Sequence, residues 1–303
     1  MSPWSMVMFR AMSSPCRIVA PDQELAQMGE QLVRDLERRW SRFLPDSEVS
    51  SLNRCAGQLS IVSDETYRLI ECAEEARRLT AGAFNPLVLD HLMALGYDRT
   101  WDDVTESDEA PPQLGPVCDE PIELYPEVNA VCLPAGTHFD PGGIGKGLAG
   151  DMVAEALREA GAASVQVELG GDVRVAGPEW SGGAWGVVVD DSDHGAPNAA
   201  KITIAEGGVA TSSVVRRRWR RGDVDVHHLI DPSTGLPAVT DLDAVTVAAS
   251  DLWWAEVVAK VALIGGSDHA RTRLEDLGLT GVLTRNGSDN HRYEVIANSR
   301  IPA

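Results

Sequence analysis

Apolar residues recur through residues 22–41 at three- and four-residue steps, as Leu25, Met28, Leu32, Leu36 and Trp40. That spacing stacks them on one face and predicts a helix, capped by Asp22 after Pro21. Residues 64–80 repeat the pattern, with Leu69, Ile70, Ala73, Ala76 and Leu79 inward and Gly82 just past the end. Residues 43–53 are rich in Ser and Asp, which bond to nearby backbone, and predict a loop. A further helix is expected over residues 147–160. The period then shortens to two. Residues 165–169 (Val-Gln-Val-Glu-Leu) alternate as a half-buried strand that ends at Gly170-Gly171-Asp172, and residues 185–190 predict another. Shorter strands are expected at 201–204 and 209–211. Arg216, Arg217, Arg218, Arg220 and Arg221 surround Trp219 before a turn at Gly222-Asp223. Val224, Val226 and Leu229 follow in alternation, so a hairpin is expected whose return strand leads His227 and His228 into Asp231-Pro-Ser-Thr-Gly235. A strand at 244–248, helices at 251–264 and 267–277, and a strand at 279–284 complete the series. Helices and strands interleave irregularly, which favours an α+β fold with mixed or antiparallel sheets flanked by helices over a doubly wound sheet.

Composition narrows the function classes. The chain has 303 residues, enough for one large domain or two modest ones, and 44% hydrophobic residues, enough for a real core. Its net charge of −20 argues against nucleic acid as a partner and against anionic membranes. The acidic excess is the charge of a soluble surface. Asp102, Asp103, Glu106, Asp108, Glu109, Pro111 and Pro112 crowd a segment poor in large apolar groups, so residues 101–120 are expected to be a mobile acidic insertion. Cys16, Cys55, Cys72, Cys118 and Cys132 form no C-x-x-C pair, which fits thiols in a reducing compartment. Residues 1–12 show no secretory pattern, and the chain has no stretch of ~18 apolar residues, so a cytoplasmic location is expected.

Four segments could carry chemistry. Asp140-Pro-Gly-Gly-Ile-Gly-Lys-Gly-Leu-Ala-Gly-Asp151 places glycines and Lys146 where a helix is predicted to begin. Unpaired N–H groups and the positive dipole end there favour an anion such as a phosphate. Its spacing matches neither the P-loop nor the dinucleotide fingerprint. Val167-Glu-Leu-Gly-Gly-Asp172 ends a strand in an acid, as a plain tight turn also would. His228, followed by Asp231, has the residue type of a general base, or of a surface histidine beside a turn. His227 should point to the opposite face of an extended segment, leaving one histidine for a site. Glu256 and Lys260 are one helical turn apart, as an exposed ion pair or with Glu256 as an oxygen ligand for Mg²⁺. The Arg216–Arg221 cluster is either an exposed basic strand or a dock for an acidic partner.

Taken in order, these segments resemble the ApbE family, flavin transferases that move FMN from FAD onto a protein. The resemblance runs from about Ala11 to Gly266. Ala11-Met-Ser-Ser-Pro-Cys16 is similar to the family's N-terminal segment, and Asp46-Ser-Glu-Val-Ser-Ser-Leu-Asn53 to its serine-rich loop. Ala81-Gly-Ala-Phe-Asn-Pro86 resembles G-A-F-D-P, and residues 140–151 resemble D-L-G-G-I-A-K-G-x-A-x-D. Gly170-Gly171-Asp172, Ala210-Thr-Ser212 and residues 228–235 complete the series. The resemblance implies a single domain over residues 1–303, T-fold-like, with FAD in a cleft between sub-domains. Met12, Ala83, Phe84, Asn85, Asp140, Lys146, Gly170, Gly171, Asp172 and Ile230 would line the FAD site. Mg²⁺ would sit at the pyrophosphate, near Gly143 and Glu256. His228 would take the proton from a Thr or Ser hydroxyl of an acceptor protein, and AMP would leave. Four positions depart from the pattern: Glu256 stands for an aspartate one methylene shorter, Pro141 for an aliphatic residue, and Asn85 and Lys260 change the chemistry of the site. Asn85 stands for the usual aspartate, and Lys260 for a threonine whose oxygen is a metal ligand in the family. An FAD-binding carrier or sensor with little transfer activity, or an FAD pyrophosphatase yielding FMN and AMP, would use the same residues.

Overall fold

The computed structural model describes residues 4–112, 114–179, 181–191, 196–287 and 292–297, with backbone alone at 191 and 196–198. A hairpin of β1 (Ser5–Ala11) and β2 (Ser14–Ala20) leads into α1 (Gln23–Trp40) and α2 (Glu48–Arg54). Next come β3 (Ser60–Ile61), α3 (Asp64–Leu79), α4 (Leu89–Ala94), β4 (Glu123–Tyr125), β5 (Ala130–Cys132) and α5 (Gly145–Glu159). The strands β6 (Val165–Leu169), β7 (Asp172–Ala176), β8 (Trp185–Asp191), β9 (Ala196–Ile204) and β10 (Gly207–Ser213) follow. Two small hairpins, β11 (Arg218–Arg221) with β12 (Val224–His227) and β13 (Ile230–Asp231) with β14 (Leu236–Pro237), precede β15 (Leu242–Ala249). The series closes with α6 (Leu252–Leu277), β16 (Thr280–Arg285) and β17 (Tyr293–Ile296). The chain divides into two compact units, one of residues 1–35, 146–213 and 240–303, the other of residues 36–145 and 214–239. Among the described residues no helix is long and apolar enough to cross a membrane.

The first unit is built on an eight-stranded sheet in the order β1-β2-β6-β7-β10-β15-β16-β17. Successive residues of a strand face opposite sides, and the sheet uses both. On one side the β8–β9 hairpin packs Trp185, Val189 and Ile202 against Val173, Val209, Ala248 and Val282. On the other, Ala210 meets Leu252 and Ala255 of α6. Asp172, next to Val173 in β7, therefore points to the α6 side. α6 breaks at Gly266, whose φ of 79° and ψ of 175° are not helical. Asp241 Oδ1 accepts the Ser267 N–H at 2.8 Å and caps the second length.

The second unit holds the three-stranded sheet β3-β5-β4, helices α2 to α4 and the two small hairpins. Asn53 ties its loops together, donating to Phe139 O at 3.0 Å and accepting the Phe139 N–H at 2.7 Å. Tyr97, Trp101 and Trp219 form a ring cluster with centroids 5.8–6.2 Å apart.

Several expectations are corrected. Residues 43–53 are not all loop: Ser47 accepts the Ser50 N–H at 3.0 Å and starts α2, so the serines cap a helix. On α1 the buried stripe is Ala26, Gly29, Val33, Leu36 and Trp40, whereas Met28 is exposed. The large residues misplace the stripe because its centre is a glycine: a Cβ at Gly29 would lie 2.8 Å from Ile18 Cδ1. On α3, Leu79 is exposed at the last turn, and Thr66 and Tyr67 are buried instead. Val224 is exposed at a hairpin tip, although Val226 on the same strand face is buried. All paired strands among the described residues are antiparallel, one of the two sheet types expected. Among its described residues the acidic stretch 101–120 has a short 3-10 turn, Trp101–Asp103, a bridge from Ser107 to Arg221, and a bond from the Val117 N–H to Pro232 O at 2.9 Å. Of the basic stretch, Arg216, Arg218 and Arg220 are exposed, as in one of the two readings expected, with Trp219 buried between them and Arg218 paired with Asp225 at 3.0 Å.

Candidate functional site

Lys146 stands in the first turn of α5 and reaches two buried acids from distant segments. Its Nζ lies 3.0 Å from Asp172 Oδ2 and makes a short contact with Glu256 Oε1. The acids, 2% and 4% exposed, also use their second oxygens. Asp172 Oδ1 accepts the Thr211 N–H at 3.0 Å, and Glu256 Oε2 accepts the Gly147 N–H at 2.8 Å. Burial pushes the Asp172 carboxyl up; Lys146 opposes this and Glu256 adds to it. Gly147 is required for the approach: a Cβ there would fall 2.6 Å from Trp253 Cα of α6, inside contact distance of backbone.

Two further elements fix this cluster. Gly170 and Gly171, with φ of 65° and 95°, form the two-residue turn between β6 and β7, the left-handed pair that such a hairpin demands. Asp151 of α5 accepts the Leu252 N–H at 3.0 Å and the Trp253 N–H at 2.9 Å, satisfying the start of α6. Arg174 pairs with it at 2.8 Å. Met12, half-buried, lies in the β1–β2 turn with φ of 51°, beside Ser13 at 55°. Left-handed backbone at two successive non-glycine residues is uncommon. Ser14 of the same hairpin touches the Gly170 turn, where a Cβ would lie 2.8 Å from its Oγ.

The other predicted residues belong to the second unit. Asp140 accepts the Gly142 N–H at 3.2 Å at the head of the Pro141–Gly143 turn. Arg42 holds it at 3.0 Å, and the two side chains are 7% and 9% exposed. Arg42 also lies over the rings of Phe43 and Tyr97, 4.3 and 4.6 Å from their centroids. Asp140 N–H donates to Pro86 O at 2.8 Å, joining this loop to the segment of Ala83, Phe84 and Asn85. Phe84 is buried and Ala83 half-buried. Asn85 Oδ1 accepts the Leu87 N–H at 2.9 Å and its Nδ2 donates to Cys118 O at 2.8 Å. An aspartate could make only the first of these bonds, so Asn85 suits this turn. Gly143 offers only its backbone.

His227 and His228 differ as their alternation requires. His227 Nδ1 accepts the Leu229 N–H at 3.3 Å, which leaves Nε2 to donate to Ala238 O at 3.0 Å. Burial lowers its pKa, so it is a neutral structural residue. His228, half-buried, follows β12 and precedes the buried Ile230. Asp231 is spent locally, accepting the Ser233 N–H at 2.9 Å and hydroxyl at 2.7 Å.

Mg²⁺ is the ion that the family pattern implies beside Gly143 and Glu256. No group of three or more His, Cys, Asp or Glu side chains among the described residues could hold a metal. Glu256 and Asp172 already share an ammonium, and each has a backbone N–H on its other oxygen. Lys260, half-buried one turn along α6, offers donors and no acceptor. With Glu256 held by Lys146 and no oxygen at position 260, the side chains present do not fit Mg²⁺ where the family pattern places it.

Sequence reasoning named Lys146, Asp172 and Glu256 but not their union, which tertiary packing creates. It missed Arg42, an arginine in a short loop with no motif around it. Asp151 was visible as the acid that closes the glycine loop.

The chain matches known proteins over most of its length. The ApbE family profile matches residues 12–283. The chain is 29% identical over 264 residues to the FAD:protein FMN transferase of Treponema pallidum (strain Nichols), covering 81% of this chain and 72% of that one. It is also 29% identical over 248 residues to the FAD:protein FMN transferase of Klebsiella pneumoniae (strain 342), covering 79% and 76%. Among solved structures, the ApbE protein of Thermotoga maritima superposes with a TM-score of 0.83 at 25% identity, covering 96% of each chain. The apo flavinyl transferase ApbE of Pseudomonas stutzeri shares the fold, with a TM-score of 0.80 at 20% identity over 98% of this chain and 95% of that one. With a match that runs from the Met12 turn through the lysine-bridged acids to β16, this chain belongs to the ApbE family.

Proposed function

We propose that the chain is an FAD:protein FMN transferase. The observation that carries this reading is the family match over residues 12–283, with relatives of that name aligned over about four-fifths of the chain. In this reading His228 accepts the proton of a Thr or Ser hydroxyl on an acceptor protein. The hydroxyl oxygen attacks the FMN-side phosphorus of FAD, a new P–O bond forms, the bridging P–O bond breaks, and AMP leaves with the bridging oxygen. Such a transfer needs in-line positioning and charge neutralisation more than covalent help. Lys146 is fixed at the head of α5 by its two acids, which place its ammonium for contact with the pyrophosphate. Met12, Ala83, Phe84, Asn85, Asp140, Gly170, Gly171, Asp172 and Ile230 are proposed as the residues around FAD. The acceptor is proposed to share a reducing, cytoplasmic compartment, since the five cysteines form no disulfide.

The test is incubation with FAD and a flavin-acceptor protein, read as covalent fluorescence on the acceptor and as AMP release. His228→Asn should lower transfer by about 10²–10⁴-fold, the usual worth of a general base, while FAD affinity changes little. Transfer by the variant at the wild-type rate would remove His228 from the mechanism. A second reading, an FAD carrier or sensor, is favoured by the fully occupied oxygens of Glu256 and Asp172. It requires FAD binding without AMP release. FMN and AMP formed in the absence of acceptor would instead mark a pyrophosphatase.

A further inference from the structure

Buried acids call for cations, and in this cluster the cations are amines. Asp172 and Glu256 form one acidic pair with Lys146 between them. Two carboxylates against one ammonium leave a net negative charge. Lys260 follows Glu256 by one turn of α6, so the two side chains rise from the same helical side. Lys260 is half-buried, which brings a second ammonium to the same region of α6. A divalent ion entering here would have to displace Lys146 from both acids and tolerate Lys260. Near-octahedral Mg²⁺ needs oxygen ligands at about 2.0–2.1 Å, and an ammonium supplies none.

We propose that a fixed ammonium group replaces the divalent ion in this chain. Lys146 bridges the acid pair, as the lysine of the family pattern would, and Lys260, at the position of the family's threonine ligand, supplies the positive charge that the ion would bring to the pyrophosphate of FAD. FAD binding by this protein therefore does not require Mg²⁺. This rests on the FAD reading above. The Glu256–Lys260 pairing carries an internal logic: the threonine of the family pattern adds an oxygen toward a mobile ion, and lysine removes that oxygen while adding the charge.

The experiment is calorimetric titration of FAD into the full chain, once in EDTA and once in millimolar Mg²⁺. Direct titration with Mn²⁺, followed by its electron paramagnetic resonance signal, runs alongside. The wild-type protein should bind FAD with Kd values within about twofold in the two buffers, a difference under about half a kcal/mol. It should take up no stoichiometric Mn²⁺. Lys260→Thr should bind FAD about tenfold more weakly in EDTA and recover in Mg²⁺. The wild-type titrations decide the question even if the variant fails to fold. FAD binding only in Mg²⁺, or stoichiometric Mn²⁺ on the wild-type chain, overturns the inference. A folded Lys260→Thr protein indifferent to Mg²⁺ overturns the assignment to Lys260. Absence of FAD binding in both buffers overturns the FAD reading itself, and this inference falls with it.

Discussion

Single residues carry unequal burdens in this fold. Lys146→Met would leave Asp172 and Glu256 buried without their cation, and loss of one partner of a buried ion pair typically costs about 3–5 kcal/mol. Urea unfolding of the variant should show that loss at neutral pH and a smaller one in mild acid, where Asp172, its carboxyl pushed up by burial, protonates. An equal loss at both pH values would argue that Lys146 acts by packing alone. Asn85 is the quieter case. Asn85→Asp restores the usual family residue, yet it removes the donor to Cys118 O and sets a carboxylate against a carbonyl. A cost of about 1–3 kcal/mol is expected, shrinking below the carboxyl pKa, where the acid can donate again. A variant as stable as the wild type would show that this turn does not select asparagine.

At the scale of elements, α5 and α6 are joined by acids rather than by a loop. Asp151 caps α6 from α5, and burial pushes its carboxyl up to about 6 against the pull of the Leu252 and Trp253 N–H groups and of Arg174. Its folded pKa lies above the unfolded value near 3.8, so its contribution is complete below about pH 4 and is lost as pH rises through 6. Stability of the wild type relative to Asp151→Asn should therefore fall between about pH 4 and pH 6, by about 1.4 kcal/mol per pKa unit. A flat difference across that window would show that Asp151 titrates normally. The helices themselves were legible from spacing, because a buried face must recur every three or four residues. What spacing could not show was where small residues form the buried stripe, as at Gly29, or where serine begins a helix, as at Ser47. The β1–β2 hairpin escaped because its turn, Met12-Ser13, lacks the Gly and Asn that announce left-handed backbone.

For the whole molecule, charge dominates. A net charge of −20 imposes self-repulsion on the folded chain, which salt screens within a Debye length of about 10 Å at 0.1 M. The thermal midpoint should rise as NaCl is raised from about 20 mM to about 0.5 M. A falling midpoint would mean that the many surface ion pairs outweigh the repulsion. The family was legible in the order of weak motifs, and the α+β class in their interleaving. The lysine-bridged acids were not, because Lys146, Asp172 and Glu256 come from separate stretches of chain and meet only through the register of β7 against β10 and the glycine contact between α5 and α6.

The break in α6 has an electrostatic side. Peptide dipoles add only along a continuous axis, so a helix interrupted at Gly266 has two fields in place of one. The second field opens with a positive end in mid-chain, which Asp241 answers. Burial would raise that carboxyl, yet the bonds from Ser267 and the charge of Arg285 hold it below its ordinary value. The first field closes with its negative end just before Gly266, in the turn of Ala262 to Gly265. A single glycine thus sets two opposite helix ends side by side, and the carboxylate of Asp241 stands at the positive one.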